Sequence, residues 1–288
     1  MAINGTQGYF KSSIGQQALF GHYDQMLAKW PMPYERLYLG TKLARTHVIA
    51  CGDPAASPLL LFHGRSTNAS IWGTVAPFLS RKHRVYAVDI PGEPGKSAAA
   101  RPSGTSPAYG EWALDVLNAL KVRQAAVMGI SFGGWMTIKL AALAPERVRR
   151  AVLLCPAGLL FPRWDFIGMA ALGQLGGARA REKLIDFIAH KPLAGDLRES
   201  FRLIFTHYQS NREAPPVFPD ETLRRLTMPT LMLIGEHDRI FLAGPSVARA
   251  RDLLPRGRAE LIADAGHLLP YDQPQLVLTK ALAFLQGA

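Results

Sequence analysis

The stretch Ala125-Ala-Val-Met-Gly-Ile-Ser-Phe-Gly-Gly134 decides the fold, because it joins an apolar run to a glycine-rich turn. The apolar run predicts a central strand buried on both faces, and a helical pattern follows at Trp135–Leu143. Between them, Gly129 and Gly133 lie two residues before and after Ser131. In a tight strand-to-helix turn, side chains at those two positions would collide, so glycine is required there. The pattern predicts that the Ser131 hydroxyl projects from the sheet at the positive end of a helix.

The chain around this stretch alternates short β-branched or apolar runs with helical patterns. This alternation predicts an α/β protein with a mostly parallel central sheet and helices on both faces. Two of the helical patterns lie at Tyr109–Leu120 and Trp135–Leu143. Seven strands are predicted, at Arg45–Ala50, Pro58–Phe62, Val85–Val88, Ala125–Gly129, Val148–Leu154, Thr230–Gly235 and Ala259–Ala263.

One interval breaks the alternation, because no strand pattern occurs between residues 156 and 228. It carries helical patterns at 178–190 and 196–208, followed by a proline-rich loop at 211–220. An insertion of this length exceeds a normal loop. We therefore expect residues 156–228 to form a helical cap inserted before the penultimate strand. Residues 1–155 and 229–288 would form the core, with an amphipathic helix over 13–30.

Composition excludes several classes of protein. The 288 residues carry a net charge of +11, but the cations are scattered and lack the interleaved aromatic residues of a nucleic-acid surface. No apolar stretch has the length of a signal segment or a membrane span. The two cysteines, Cys51 and Cys155, have no metal-ligand spacing and predict buried thiols in a reducing compartment, the cytoplasm. An anionic partner and a homodimer are left open.

The string Gly95-Lys96-Ser97 matches the end of a phosphate-binding P-loop. That loop needs a glycine five positions before the glycine of its Gly-Lys pair, and Ile90 occupies this position. Pro91 and Pro94 also remove two backbone N–H groups that a phosphate would need. The sequence therefore disfavours a nucleotide site and favours a structural turn at a strand end.

A serine hydroxyl needs a base, and the base needs an orienting acid. Asp238 follows the predicted strand Thr230–Gly235, and His267 follows the next strand. Both should lie at the same sheet edge as Ser131, where open α/β sheets bind ligands. Glu236 is a rival acid. A metal site built on Glu236, His237 and Asp238 is disfavoured, because adjacent residues of an extended segment point to opposite sides.

Five short motifs together give the chain its resemblance to a known family. They are His63-Gly-Arg, Asp89-Ile-Pro-Gly, Gly129-Ile-Ser-Phe-Gly, Gly235-Glu-His-Asp and Ala265-Gly-His. In this order, they make the chain similar to the α/β-hydrolase superfamily over nearly its whole length, with the first thirty or so residues adding little. It most resembles capped bacterial carboxylesterases that are also haloperoxidase-like serine hydrolases.

The resemblance implies roles for five residues. Ser131 matches the nucleophile, Asp238 the acid and His267 the base of a catalytic triad, and the family's oxyanion hole corresponds to the backbone N–H groups of Arg65 and Phe132. The turn after Asp89 is one residue longer than is usual in the family. The Arg65 side chain itself is expected to be solvated or ion-paired, with recognition of a substrate carboxylate as the alternative. His63 is expected to brace its loop through hydrogen bonds.

The function that this resemblance implies is hydrolysis of a small-molecule carboxylic ester through an acyl-enzyme, without cofactor or metal. Alternatives on the same triad are a C–C bond hydrolase, a lactonase and a cofactor-free perhydrolase. A protein that only binds a ligand is a further alternative, although such proteins usually lose part of the triad. Trp72, Trp164, Phe166 and Phe205 are candidates for lining the acyl pocket, but aromatic residues at such positions are more often core.

Overall fold

A computed structural model describes residues 7–193 and 195–287. It contains eight strands, and all seven predicted strands are present within two residues of their expected ends. The additional strand is β1, which sequence analysis missed. The strands are β1 (Tyr34–Leu39), β2 (Thr46–Cys51), β3 (Ser57–Phe62), β4 (His83–Val88), β5 (Ala125–Ile130), β6 (Val148–Leu154), β7 (Thr230–Gly235) and β8 (Gly257–Ile262).

The strands form one mostly parallel sheet in the order β1-β2-β4-β3-β5-β6-β7-β8. Antiparallel pairing is confined to one edge, where β1 pairs with β2 and β2 pairs with β4. The remaining neighbours are parallel. Strands β5, β6, β7 and β8 therefore end at one common edge, which we call the carboxyl edge of the sheet.

Eleven α-helices occur in the described residues, together with short 3₁₀ turns at Gln7–Tyr9, Ala69–Thr74 and Pro145–Arg147. Helix α4 packs against β5 and β6, α9 against β7 and β8, and α3 against α4. The helices are α1 (Ser13–Ala28), α2 (Ala76–Leu79), α3 (Ala108–Ala119), α4 (Phe132–Leu143), α5 (Trp164–Leu175), α6 (Ala178–Ile188), α7 (Gly195–His207), α8 (Asp220–Arg224), α9 (Ala243–Leu253), α10 (Leu269–Asp272) and α11 (Pro274–Gln286). None of them is both long and apolar enough to cross a lipid bilayer.

The central strands are covered on both faces. Every residue of β2, β5 and β7 is buried. Because successive side chains of a strand point to opposite faces, complete burial requires packing on both sides of the sheet. One continuous apolar core runs from β2 to α11. This arrangement holds the ends of the strands rigidly and so fixes the loops that follow them.

Four helices, α5 to α8, lie between β6 and β7, within residues 156–228. We call these residues the cap segment. Helix α1, the helix expected over residues 13–30, packs against α7 of the cap segment. Leu19 of α1 belongs to an apolar cluster with Ile204 and Tyr208. The amino-terminal helix therefore contacts the cap segment directly.

Candidate active site

Ser131 occupies the turn between β5 and α4 in a strained conformation. Its φ is +53° and its ψ is −113°, a region that non-glycine residues seldom adopt. A Cβ on Gly129 would collide with the Gly133 carbonyl, and a Cβ on Gly133 would collide with the Phe62 carbonyl. The two glycines therefore allow the turn to pack against β3. The turn has the geometry that the Gly-x-Ser-x-Gly pattern predicted.

Asp238 and His267 meet beyond the ends of β7 and β8. The His267 Nδ1 lies 2.8 Å from Asp238 Oδ2, and both side chains are buried. The other carboxylate oxygen of Asp238 accepts the N–H groups of Ile240 at 2.7 Å and Phe241 at 3.0 Å. Because Asp238 accepts three hydrogen bonds, its carboxylate is held in one orientation and can fix the imidazole.

Ser131 and His267 line the same cavity. Within the described residues, no hydrogen bond joins the Ser131 hydroxyl to the imidazole. Since Nδ1 of His267 is engaged by Asp238, Nε2 is the ring nitrogen available to accept a proton. Such catalytic hydrogen bonds are often long before substrate binds. The structure thus pairs His267 with Asp238 and places Ser131 and His267 in the lining of one cavity.

The two backbone N–H groups expected to form an oxyanion hole belong to Arg65 and Phe132, which also line the cavity. Neither N–H donates to a backbone carbonyl of the part of the chain that is described. Phe132 N–H lies at the start of α4, where helical N–H groups are unpaired and the helix dipole is positive. Both groups are therefore available to a ligand oxygen.

The loop that carries Arg65 is held by a buried carboxylate that sequence analysis missed. Glu93 Oε2 accepts the N–H of Ser66 at 2.7 Å, and Ser66 has a φ of +52°. Burial raises the pKa of Glu93, and the charge of Arg65 and the Ser66 N–H oppose this rise. Glu93 thus stabilises a strained residue directly after the expected oxyanion donor.

His63 braces the same loop, as the sequence predicted. Its Nδ1 donates to the Gly64 carbonyl at 2.8 Å, and its Nε2 accepts the Ile90 N–H at 3.0 Å. Burial lowers the pKa of His63, so the imidazole is neutral at pH 7. Both ring nitrogens are occupied, which leaves none for proton transfer.

The Gly-Lys-Ser turn packs on the buried Asp89. This carboxylate accepts the N–H groups of Ala69 at 2.7 Å and Lys96 at 2.9 Å, and its Oδ2 lies 2.9 Å from His47 Nδ1. A Cβ on Gly95 would collide with the Asp89 carboxylate. The turn's amide groups therefore serve the protein itself, in agreement with the expected structural role.

The cavity beside Ser131 has a volume of about 700 Å³ and is mostly apolar. Its walls come from both the carboxyl edge and the cap segment. Helix α5 supplies Phe166 and Ile167, α7 supplies Phe201 and Phe205, and the loop after β8 supplies Leu268. A cavity of this size and character suits a small organic molecule.

The two tryptophans considered as substrate contacts do not line this cavity. Trp72 is 2% exposed and belongs to the main core, whereas its neighbour Ile71 reaches the cavity. Trp164 is 87% exposed on α5, whereas Phe166 on the same helix reaches the cavity. The other two aromatic candidates, Phe166 and Phe205, do line the cavity, as expected.

The Arg65 side chain is half-buried and bonds to backbone carbonyls instead of forming the expected ion pair with a carboxylate of the described residues. Its Nη1 donates to the carbonyls of Asn211, at 3.2 Å, and Glu213, and its guanidinium lies over the Phe132 ring. Both carbonyls belong to the cap segment, which is separated from Arg65 by about half the chain. No local sequence signal indicates this contact.

Cys155, Asp238 and His267 bring a sulfur, a carboxylate oxygen and a ring nitrogen within 4.8 Å of one another. Burial and the charge of Asp238 raise the pKa of the Cys155 thiol well above its usual range. The thiol therefore stays protonated, and a protonated thiol is a poor metal ligand. Glu236 and His237 are both exposed and 4.0 Å apart on the turn after β7, whereas Asp238 is buried. The three residues therefore do not form the extended segment that we expected, and the burial of Asp238 separates it from the other two.

Comparison with known proteins gives the chain close relatives. A model of the alpha/beta hydrolase family matches residues 59–280. The chain is 33% identical over 280 residues to carboxylesterase YbfK from Bacillus subtilis, which covers 92% of each protein. It superimposes on the crystal structure of naproxen esterase, carboxylesterase NP, from B. subtilis with a TM-score of 0.89 and 32% identity, covering 95% of this chain and 99% of that one.

A more distant relative has different chemistry. The chain is 28% identical over 231 residues to a 2-hydroxymuconate semialdehyde hydrolase from Pseudomonas sp. (strain CF600), which covers 74% of this chain and 81% of that protein. The two B. subtilis esterases match a larger share of the chain at higher identity.

Proposed function

The chain belongs to the alpha/beta hydrolase family, and we propose that it is a carboxylesterase in which Ser131, His267 and Asp238 form the catalytic triad. The observation that supports the triad most strongly is the 2.8 Å contact between His267 and Asp238 in the wall of the cavity that also exposes Ser131. Relatives whose names identify them as carboxylesterases match the chain over nearly its whole length.

The geometry supports a two-step mechanism. His267 Nε2 takes the proton of the Ser131 hydroxyl while Oγ attacks the ester carbonyl, and Asp238 stabilises the resulting imidazolium. The backbone N–H groups of Phe132 and Arg65 donate to the oxyanion of the tetrahedral intermediate. His267 then returns the proton to the departing alcohol. In the second step, His267 activates a water that hydrolyses the acyl-enzyme.

The residues that line the cavity support a substrate with an apolar acyl or alcohol group. Helices α5 and α7 contribute aromatic and aliphatic side chains to the wall of the cavity that Ser131 also lines. Burial of such a group contributes about 25 cal/mol per Å² of apolar surface. We therefore propose bulky apolar esters as substrates in preference to acetate esters. A panel of p-nitrophenyl esters of different acyl length, lactones and diketones compares ester hydrolysis with lactone and C–C bond hydrolysis. Perhydrolysis is measured on the same esters.

The test combines Ser131→Ala with the control Ser210→Ala. Both serines line the cavity, but only Ser131 occupies the strained turn. We expect Ser131→Ala to lower kcat/KM for p-nitrophenyl butyrate at least about 10³-fold and to abolish labelling by a fluorophosphonate probe. Ser210→Ala should change kcat/KM less than about fivefold and keep the labelling. Full activity of Ser131→Ala with an unchanged circular dichroism spectrum would refute the assignment.

We also propose that the enzyme is a cytoplasmic homodimer. Two buried free thiols, Cys51 and Cys155, are compatible with a reducing compartment. The exposed apolar side chains of Phe161, Trp164 and Leu175 offer a surface that a second copy could cover. Sedimentation equilibrium of the wild type and of Trp164→Ser tests the dimer, which predicts a weaker association for the variant.

A further inference from the structure

The charged side chains that line the cavity, apart from the proposed base His267, are all cationic. They are Lys11, Arg65 and Arg212, and no aspartate or glutamate of the described chain lines the cavity. In an otherwise apolar cavity, three cations without an anion create a positive potential that low-dielectric walls reinforce. An apolar ester by itself does not account for this charge.

The three cations gather around one segment, residues 205–213. Lys11 Nζ donates to the carbonyls of Phe205 at 3.2 Å and Thr206 at 3.1 Å. Arg65 Nη1 donates to the two carbonyls on either side of Arg212, those of residues 211 and 213. We call Lys11, Arg65 and Arg212 the cationic rim. All three cations therefore contact, or belong to, the stretch 205–213.

None of the three rim cations forms an ion pair with a carboxylate of the described residues. The carboxylates of Glu93 and Glu213 do not line the cavity, but both partly offset the charge of Arg65. Glu93 accepts the Ser66 N–H. The Glu213 carboxylate accepts the hydroxyl of Ser103 and the N–H of Gly104.

Two further observations indicate that the rim lacks a partner. Burial and the neighbouring charge of Arg181 lower the pKa of Lys11, as expected where like charges meet without an anion. The buried Nε of Arg65 has no hydrogen-bond partner within the described residues. A buried guanidinium N–H without an acceptor is costly, and because this N–H is not accessible from the cavity, it shows incomplete pairing of Arg65 within the protein and is not itself a ligand contact.

We propose that the preferred substrates are esters that carry a free carboxylate at the end remote from the reacting ester, and that this carboxylate binds the cationic rim. The proposal rests on the ester hydrolysis proposed above and adds the substrate class. The apolar middle of such a substrate fills the space between α5 and α7. The reacting carbonyl lies at Ser131, and the carboxylate accepts hydrogen bonds from the rim.

The test compares two p-nitrophenyl esters of equal length. One is the monoester of suberic acid, which has a free carboxylate, and the other is the p-nitrophenyl ester of suberic acid monoamide, which is neutral. The measured quantity is the ratio of their kcat/KM values, because the ratio cancels effects on the chemical step. For the wild type at low salt we expect the carboxylate ester to be favoured at least about tenfold, and less so in 0.5 M NaCl.

Arg212 and Lys183 provide a matched pair of variants. Both side chains are exposed cations of the cap segment, but only Arg212 lines the cavity. We expect Arg212→Gln to lower the ratio about fivefold and Arg212→Glu about twentyfold, since the second change adds repulsion. Lys183→Gln and Lys183→Glu change the net charge equally and should alter the ratio less than twofold.

Three results would overturn the inference. A wild-type ratio near one would show that the rim does not recognise a carboxylate. Equal effects of the Arg212 and Lys183 variants would assign the preference to the net charge of +11. If the wild type hydrolyses neither suberate ester nor p-nitrophenyl butyrate, the proposed function fails and the substrate class falls with it. In the first two results the wild type still hydrolyses p-nitrophenyl butyrate, whereas in the last it does not.

Discussion

The carboxyl edge of the sheet and the cap segment form the two walls of one cavity, but they are built differently. At the edge, Asp238 and His267 are buried, and the core's own backbone positions both their loops. In the cap segment, α5 has one buried residue, Gly173, and exposes Trp164 and Leu175. From this difference we infer that the tightly packed edge would carry the proposed chemistry, and that the loosely packed α5 would contribute to the selection of substrate.

The largest effect is expected from a substitution of Asp238, the acid of the proposed triad. Asp238→Asn replaces a carboxylate by an amide that cannot hold His267 in the tautomer needed for a base, so kcat for p-nitrophenyl butyrate should fall about 10³- to 10⁴-fold. Glu236→Gln is the control, because Glu236 follows the same strand but is exposed, and it should stay within twofold. A larger loss for Glu236→Gln would exchange the two assignments.

A pair of glycines tests the packing of the two walls. Gly133→Ala brings a Cβ against the Phe62 carbonyl of β3, and should lower the free energy of unfolding by about 3 kcal/mol. Gly168→Ala, in the middle of α5, meets nothing within 4 Å. It should raise the free energy of unfolding by about 0.5–1 kcal/mol, since alanine is the better helix former. Urea unfolding measures both, and a loss for Gly168→Ala comparable to that of Gly133→Ala would remove the contrast.

The sequence predicted the carboxyl edge of the sheet better than the cap segment. The core strands could be predicted because short apolar runs alternate with helical patterns. The turn at Ser131 could be predicted because the spacing of its glycines is a local signal. Strand β1 (Tyr34–Leu39) was missed because it is an antiparallel edge strand with a mixed, half-exposed pattern. Helix α5 was missed because it is apolar around most of its circumference, so no helical period is visible.

The cavity wall was the least predictable part. Phe166 and Trp164 are both aromatic residues of α5, and only the packing of α5 on its neighbours decides which one faces inward. Glu93 and the Arg65 side chain were missed for a related reason. Their partners lie 27 and about 146 to 148 residues away along the chain, so local patterns carry no information about them.

The two aromatic residues of α5 also supply a test of substrate selection. Phe166→Ala removes apolar surface from the cavity, and should lower kcat/KM for p-nitrophenyl octanoate about five- to tenfold while changing that for acetate much less. Trp164→Ala removes a larger side chain that lies outside the cavity, and should change both less than twofold. Steady-state kinetics with the two esters checks this. A stronger effect of Trp164→Ala would restore the tryptophan as a substrate contact.

The smallest expected effect concerns two glutamates that titrate in opposite directions. Glu93, beside the oxyanion loop, is buried, and burial raises its pKa. Glu182, on α6 of the cap segment, has its pKa lowered by hydrogen bonds from Arg202 and Arg198. A raised pKa in the folded protein means that protonation favours folding, whereas a lowered pKa means that protonation opposes it.

The Tm of the wild type relative to Glu93→Gln should therefore rise as the pH falls from 7 through the raised pKa of Glu93 towards the usual range of a glutamate. The Tm of the wild type relative to Glu182→Gln should fall as the pH passes below that usual range. We expect a change of about 2 °C for Glu93 and a smaller one for the more exposed Glu182, measured by differential scanning calorimetry between pH 7 and about pH 3. Glu93 is buried at the carboxyl edge, whereas Glu182 forms ion pairs on the surface of the cap segment. If both Tm differences changed in the same direction with pH, the two walls would not differ electrostatically as their packing predicts.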